Sequence, residues 1–280
     1  MKYKIKILNQ SLIICILFIF SCTPVPKQFA SFSIKGSDTM LKLVEKLAQE
    51  YMIANPGISI YVSGGGSTAG IKALSRGECN IAISSRKLTN EEIKNIAEKY
   101  YTIALSYLIA RDAVSVYVSN KNPIDNITSS QLKGIFEGSI TNWKDINGKD
   151  AKIIPIIRNP MSGTLLFFKE HILQGKDFTK NAIQKATFDE VLTSIKEYPN
   201  AIGFGGIGTF KDVKHLFIDG IEPIEENVMN DKYPLNRYLY FYTVKTANKI
   251  EKDFIDWVIS NEGQKIIKTE GYIPIWMIKF

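Results

Sequence analysis

Residues 34–86 read IKGSDTMLKLVEKLAQEYMIANPGISIYVSGGGSTAGIKALSRGECNIAISSR, and within them an apolar run stops three times at small, hydroxyl-bearing residues. The stops are Gly36-Ser37-Asp38-Thr39, Gly64-Gly65-Gly66-Ser67-Thr68 and Ser84-Ser85-Arg86, and an amphipathic run follows each. Short strands are expected at 33–35, 58–62 and 81–83. Leu41, Val44, Ala48, Tyr51 and Met52 recur at helical spacing until Pro56-Gly57, with Ser37 or Asp38 as the expected cap. Ile71 and Leu74 mark a second helix, and Thr89 with Glu92 forms a capping box for a third that runs to about Tyr100. Three β-α units in succession predict a mostly parallel sheet with helices on its faces, whose ligands sit beyond the carboxyl ends of the strands. All three junctions occupy that edge. Unpaired N–H groups and the helix dipole attract anions there, so the junctions are expected to converge on one small oxyanion.

Downstream, residues 113–118 form a β-branched and aromatic run ending at Asn120-Lys121-Asn122-Pro123, read as a crossover into a second lobe. Thr128 and Gln131 make another capping box, opening a helix through Phe136, and a turn-rich loop over 138–148 holds Trp143. A strand over 153–158 ends in Arg158. Asn159-Pro160-Met161-Ser162-Gly163-Thr164 then leads into a helix carrying Leu165, Leu166, Phe168 and Ile172. This fourth junction repeats the design of the first three and adds a cation. A helix near 188–198 and a glycine-rich run over 201–208 follow. Tyr233-Pro234-Leu235-Asn236-Arg237 precedes a returning strand at 238–244, and one amphipathic helix over 250–268 completes the chain.

At the other end, Lys2, Lys4 and Lys6 precede an unbroken apolar run over 12–20, then Ser21-Cys22. The pattern is that of an export signal over 1–21, and no later stretch approaches the roughly 20 apolar residues a spanning helix needs. Ile19-Phe20-Ser21-Cys22 resembles a bacterial lipoprotein processing site, which would make Cys22 the lipid-bearing end of a tether over 22–31; plain secretion is the alternative. Removal of 1–21 lowers the formal charge from +7 to +4. No basic stripe with interleaved aromatics accompanies that excess, so nucleic-acid binding has no support. With 45% hydrophobic and 22% charged residues, the 280-residue chain can build one large or two medium globular units. Cys79 has no partner for an internal disulfide once Cys15 and Cys22 are set aside, and is expected to be a partly buried residue without chemistry.

Several motifs lead elsewhere and fail on their context. Gly203, Gly205 and Gly208 satisfy G-x-G-x-x-G, but no long helix follows to receive a pyrophosphate, and a close approach of two backbones is the plainer reading. In residues 65–72, Ile71 stands where a phosphate loop needs its lysine. His171 and His215 stand apart without metal-ligand spacing, which leaves a zinc centre or a serine phosphoester hydrolase unsupported. By contrast Arg158 with Ser162-Gly163-Thr164 suits an oxyanion, since a guanidinium donates two parallel hydrogen bonds and the hydroxyls and helix-start N–H groups add neutral donors. Asp38 would repel a bare anion. It either accepts the proton that phosphate still carries near neutral pH, which sulfate lacks, or only caps its helix.

In order along the chain, the marks are Gly36-Ser37-Asp38-Thr39, residues 64–70, residues 81–86, Ile140-Thr141-Asn142-Trp143, Arg158 with Ser162-Gly163-Thr164, Ala201-Ile202-Gly203-Phe204 and Tyr233-Pro234-Leu235. Together they resemble the phosphate-binding lipoproteins of bacterial phosphate ABC transporters, with a match from about Ile34 to Ile275. The resemblance implies an α/β, two-lobe type II periplasmic-binding-protein fold, each lobe a mostly parallel sheet flanked by helices, joined by two hinge crossovers. Lobe 1 would take 32–112 and 233–280, and lobe 2 would take 113–232. It further implies a monomeric, extracytoplasmic phosphate receptor, not an enzyme. The receptor would need no cofactor or metal, be lipid-anchored at Cys22 to a periplasmic face or cell surface, and deliver phosphate to the permease and ATPase subunits of a transporter. Carried across, the ligand positions are Thr39 and the N–H of Met40, Ser67, Arg158, Ser162, Gly163 and Thr164, and Ser37, Asp38 and Ser85 are further candidates for phosphate contact. Where the best-known members carry an aspartate after the third strand, this chain has Ser85. Asp38 and Ser85 thus compete as partner of the ligand proton, with Arg86 available to brace a carboxylate. A receptor for sulfate or molybdate, or a surface adhesin or signalling lipoprotein, are the alternative readings.

Overall fold

The computed structural model describes residues 30–207, 213–244 and 248–276. The expected signal over 1–21, Cys22, most of the tether and Gly208 lie outside the described residues.

The opening stretch folds as three β-α units: β1 (Ala30–Gly36), α1 (Leu41–Ala54), β2 (Ile58–Ser63), α2 (Ser67–Arg76), β3 (Ile81–Ser84) and α3 (Asn90–Tyr100). β1 lies between β2 and β3 and is parallel to both. The α3 capping box forms as expected, with Thr89 and Glu92 satisfying each other's backbone N–H groups. The expected α1 cap does not form. The N-cap position is Met40, without a side-chain bond, because a tight turn closes from the Met40 N–H to the Ser37 carbonyl at 3.1 Å.

β4 (Ala104–Ser119) is much longer than the run expected over 113–118. Its first half pairs antiparallel with β10 (Asn236–Val244), and its second half with β8 (Ala201–Gly206) and β9 (Val213–Ile218). One strand thereby belongs to both halves of the molecule. The second half adds β5 (Asn126–Ile127), α4 (Ser129–Glu137), a 3-10 turn at Trp143–Ile146, β6 (Ile154–Arg158), α5 (Gly163–His171), β7 (Ile183–Lys185), α6 (Phe188–Glu197) and α7 (Glu225–Met229). The Thr128–Gln131 capping box also forms. Strand order is β2-β1-β3-β10-β4-β8-β6-β7, parallel within each outer group and antiparallel at the central crossovers.

The C-terminal helix expected over 250–268 is two helices, α8 (Lys249–Ile259) and α9 (Asn261–Thr269), followed by β11 (Ile273–Pro274). The chain breaks at Ser260, whose backbone is extended and whose hydroxyl donates to the Trp257 carbonyl at 2.6 Å. A Cβ at Gly263 would lie 2.3 Å from the Val258 carbonyl oxygen, so only glycine lets the new turn fold back on the old one. In the glycine-rich run of β8, the space a Cβ at Gly205 would need is taken by the Phe188 ring, so a side chain rather than a second backbone makes the close approach.

Two large cores result. One gathers Phe32, Ile34, Leu43, Leu47, Phe241 and Phe254; the other gathers Val116, Phe136, Trp143, Phe168, Phe204 and Leu216. Phe168 and Phe204 stack at 3.9 Å with Phe136 edge-on to both, each ring contributing about 1.5–3 kcal/mol on burial. Along β4 the cores change over between Ala110 and Ala113, and along the returning chain between Leu235 and Leu239. Asp112 and Arg237 occupy that seam and are register partners on β4 and β10.

Candidate anion-binding site

At the end of β1 the backbone runs so close to β3 that a Cβ on Gly36, at φ +148°, would lie 2.1 Å from the Ile83 oxygen. The buried Ser37 donates its N–H to that same oxygen at 2.9 Å, and the Met40 side chain is fully buried in the lobe 1 core. These contacts aim the Asp38 side chain across the sheet edge instead of back onto α1. Its Oδ1 accepts from the Gly65 N–H at 2.8 Å and its Oδ2 from Arg158 Nη2 at 2.5 Å. Helix capping is therefore not its role.

At the second junction the Gly66 N–H holds the Gly36 carbonyl at 2.8 Å, and α2 then starts at Ser67. Ser67 Oγ accepts from the Ser85 N–H at 3.2 Å and lies 3.5 Å from Ser85 Oγ. Arg86 turns away. Its two terminal nitrogens grip both Glu92 oxygens at 2.8 and 2.7 Å and reach Thr68 Oγ1 at 3.0 Å, which braces a carboxylate as expected. Burial pushes the Glu92 carboxyl up, but the bonds from Arg86 and the Thr89 N–H outweigh it and hold the group below its ordinary range.

The second lobe supplies the opposite wall. β6 ends at Arg158, whose side chain is 3% exposed and whose Nη2 also donates to the Ala186 carbonyl at 2.9 Å. Its buried Nε has no hydrogen-bond partner among the described residues. Ser162 caps α5 by accepting the Leu165 N–H at 3.3 Å, leaving the N–H groups of Gly163 and Thr164 at the helix start. The walls are in contact: Thr39 Oγ1 and Thr164 Oγ1 are 3.0 Å apart, and the Thr68 N–H donates to the Met161 carbonyl at 3.2 Å. A Cβ on Gly163 would lie 2.2 Å from Ser67 Oγ and 2.7 Å from Ser85 Oγ. The structure thus brings Asp38 to Arg158, Thr39 to Thr164, and Ser67 and Ser85 to Gly163. Ser162 flanks them, while Ser37 and Met40 spend the backbone groups described above on shaping the turn.

Three of the cleft hydroxyls share one polarity. Ser67 accepts from a backbone N–H, Ser162 accepts from another, and Thr164 accepts from Arg237 Nη1 at 2.8 Å. A hydroxyl that accepts from an obligate donor has its own proton to give elsewhere. With the unpartnered Arg158 Nε, these hydroxyls give the cleft a surplus of donors, and Asp38 is the carboxylate acceptor beside them. No group of three or more metal-ligating side chains exists among the described residues. A Ser115–His215 contact at 2.8 Å lies on the second lobe, where Ser115 is fully buried and closed to a substrate.

Three residues of the site were not anticipated. Arg237 is a second buried cation, held on Asp112 by Nε at 2.9 Å and Nη2 at 2.7 Å, while Asp112 Oδ1 accepts the Ile207 N–H at 3.1 Å. The Tyr272 hydroxyl donates to the Thr39 carbonyl, and burial, aided by the Asp112 charge, keeps that phenol protonated well above its ordinary range. The available signal was charge inside two apolar crossover runs, Arg111-Asp112 after Leu108-Ile109-Ala110 and Arg237 before Tyr238-Leu239. A cavity of about 480 Å³ between α1, the start of α6 and Tyr272 reaches Asp38 and Thr39 from outside. Among the described residues no helix is long and apolar enough to cross a membrane.

The family model of the PBP superfamily domain matches residues 23–262. Phosphate-binding protein PstS of Pseudomonas aeruginosa is 32% identical over 88% of this chain and 83% of its own length; PstS of Bacillus subtilis is 33% identical over 90% and 83%. A crystal structure of a candidate phosphate ABC transporter substrate-binding protein from Clostridium perfringens, with bound phosphate, superposes at a TM-score of 0.82 with 31% identity, covering 88% of this chain and all of that one. An ABC-type phosphate transport receptor from Vibrio cholerae superposes at 0.73 with 30% identity, covering 88% of this chain and all of its own.

Proposed function

This chain belongs to the PBP superfamily, alongside the PstS phosphate-binding proteins, and from that premise we propose that it binds inorganic phosphate between its lobes and delivers it to an ABC transporter. The observation that carries this reading is the buried, unpartnered Nε of Arg158, whose guanidinium is held on Asp38, together with hydroxyls of both walls that accept from backbone N–H groups and so keep a proton to donate. A buried donor left unpaired costs about 1–3 kcal/mol, more when charged, and an oxyanion seated in the cleft relieves it. Phosphate contacts are assigned to Asp38, Thr39, Ser67, Ser85, Arg158, Ser162, Gly163 and Thr164, with Ser37 and Met40 shaping the turn that presents them.

The two lobes take 32–112 with 236–280 and 113–235, the return boundary standing past the expected 233 because Tyr233 and Leu235 pack in the second core. They open about the β4 and β10 crossovers at the seam between the cores. The chain acts outside the cytoplasm as a monomer, tethered through a lipid on Cys22, and hands phosphate to membrane permease and ATPase subunits. It catalyses nothing. Its purpose is capture and release.

Isothermal titration of residues 23–280 with inorganic phosphate tests the reading directly. Tight binding that Arg158→Ala weakens at least a hundredfold is expected, with about twofold to tenfold losses for Ser67→Ala and Ser162→Ala. No heat on phosphate addition, or equal affinity in Arg158→Ala, would overturn it. Competition with excess sulfate, and with molybdate, separates a phosphate receptor from a receptor for another oxyanion.

A further inference from the structure

Arg237 lies on a crossover strand, in neither wall of the cleft, yet it reaches into the hydroxyl pair that joins them. Its Nε and Nη2 are held on Asp112 Oδ2, its register partner on the other crossover, and its Nη1 donates to Thr164 Oγ1 at 2.8 Å. Both charged side chains are essentially sealed from solvent, at 1% and 0% exposure. Thr164 Oγ1 is in turn 3.0 Å from Thr39 Oγ1 on the opposite wall. The result is a chain running from an ion pair at the seam, through one hydroxyl of lobe 2, to one hydroxyl of lobe 1.

We propose that Arg237, fixed by Asp112, is a positioning residue that sets the direction of this hydrogen-bond chain and thereby selects the protonation state of the bound anion. The inference rests on the phosphate-receptor reading. A guanidinium carries donors only and stays protonated. It cannot accept a proton from Thr164, so whichever way the bond between the two hydroxyls runs, one hydroxyl proton remains for a ligand oxygen. Were the group at position 237 able to accept, the chain could reverse. Thr164 would donate back to it, Thr39 would donate to Thr164, and a Thr39 lone pair would face the ligand instead. The Arg237 end therefore favours an unprotonated ligand oxygen at this corner, and leaves the ligand's proton to Asp38. A dianion with one proton matches one acceptor; a monoanion with two does not.

The neighbouring groups keep the device in one state. The Asp112 charge compensates that of Arg237, and Asp112 Oδ1 is engaged by the Ile207 N–H. The Tyr272 phenol, which holds the Thr39 carbonyl, stays protonated through burial and the Asp112 charge, against the opposing effect of Arg237. A Cβ on Gly206 would lie 3.2 Å from Asp112 Oδ2 and 3.4 Å from Arg237 Nη2, so the absence of a side chain there leaves room for the pair.

The test is phosphate titration at about pH 5.5 and about pH 8.5, on either side of a second phosphate ionisation. Wild type is compared with Asp112→Asn/Arg237→Gln and with Arg237→Lys, each checked for folding by thermal melt. The double variant keeps the net charge and amide hydrogen bonding but permits reversal. The single lysine keeps the pairing charge and, carrying donors only, cannot accept from Thr164, so it is the control that removes the planar fork without permitting reversal. If the double variant fails to fold, Asp112→Ser/Arg237→Gln, which likewise places an acceptor at position 237, carries the result. The expected outcome for the double variant is a tenfold or greater loss of affinity at the higher pH with a markedly smaller loss at the lower, and no further loss when the change is made in a Thr164→Val background, while Arg237→Lys keeps the wild-type ratio of affinities at the two pH values. A folded double variant that binds as wild type or loses equally at both pH values, or a lysine variant with the same pH-dependent loss, overturns the inference while leaving the receptor reading intact. Wild type that binds no phosphate removes the receptor reading, and this inference falls with it.

Discussion

Gly163→Ala separates closure from folding. The residue opens α5, where its backbone is compatible with alanine, and exchanging glycine for alanine within a helix is favourable by about 0.5–1 kcal/mol. Across the cleft the same methyl would stand 2.2 Å from Ser67 Oγ, 2.7 Å from Ser85 Oγ and 2.8 Å from Ser67 Cβ. Rotating the two hydroxyls relieves the first two contacts. It does nothing for the third, so the walls must part until that Cβ pair moves from 2.8 Å to the 3.4 Å at which ordinary contact begins. Overpacking of this kind costs about 1–3 kcal/mol. Because the lobes can relieve it by opening, the cost falls on the liganded, closed state, and phosphate affinity should drop about fivefold to 150-fold. Titration calorimetry measures the affinity, and melts with and without phosphate separate the two effects: the ligand-free midpoint should hold or rise while the phosphate-induced rise shrinks. Gly57→Ala, where nothing lies within 4 Å of the new methyl, is the control and should bind as wild type. Wild-type affinity in Gly163→Ala would show that the walls do not meet at this point when phosphate is bound.

Three further outcomes follow from the same geometry. Asp38→Asn replaces an acceptor by a group that also donates, so phosphate should weaken about tenfold or more while sulfate competes better; an unchanged phosphate-to-sulfate ratio in competition titrations would refute the acceptor role. Glu92 has a depressed folded-state pKa, so its stabilising effect over Glu92→Gln should be present above its ordinary value of 4.5 and vanish as pH falls below it; melts from about pH 7 to about pH 3 should show the two curves converging. Burial pushes the Cys79 thiol up to about 12, so in the folded chain it should resist alkylation at about pH 8. The folded state binds this proton more tightly, so stability should decline from pH 9.0 toward about 12; rapid alkylation without unfolding would contradict the burial.

The parts of the fold governed by local chemistry were legible. Helical spacing located α1 and α2, and paired Thr-x-x-Glu and Thr-x-x-Gln placed the starts of α3 and α4, because a capping box is complete within four residues. Non-local contacts decided what was misread. The first half of β4 pairs with a strand more than 120 residues away in sequence, and the Gly263 turn is set by its packing against the end of α8. Asp38 shows the same limit: its local context is that of a cap, yet the partner that claims it is Arg158, from the other lobe.

The anion site divides along that line. Each wall was visible as hydroxyl-rich junctions because strand-to-helix turns are local, but the direction in which each hydroxyl points its proton was not. Ser67 becomes a donor because the Ser85 N–H approaches it, Ser162 because Leu165 does, and Thr164 because an arginine on a crossover strand does. Residue type alone leaves every hydroxyl able to donate or accept, and such a set would suit a protonated or an unprotonated anion equally. Tertiary and capping contacts remove that ambiguity at Ser67, Ser162 and Thr164. What remains as carboxylate acceptor is Asp38, held between Gly65 and Arg158, so discrimination by ligand proton comes to rest on the contrast between one carboxylate and a surround of fixed donors, rather than on a choice between Asp38 and Ser85 alone.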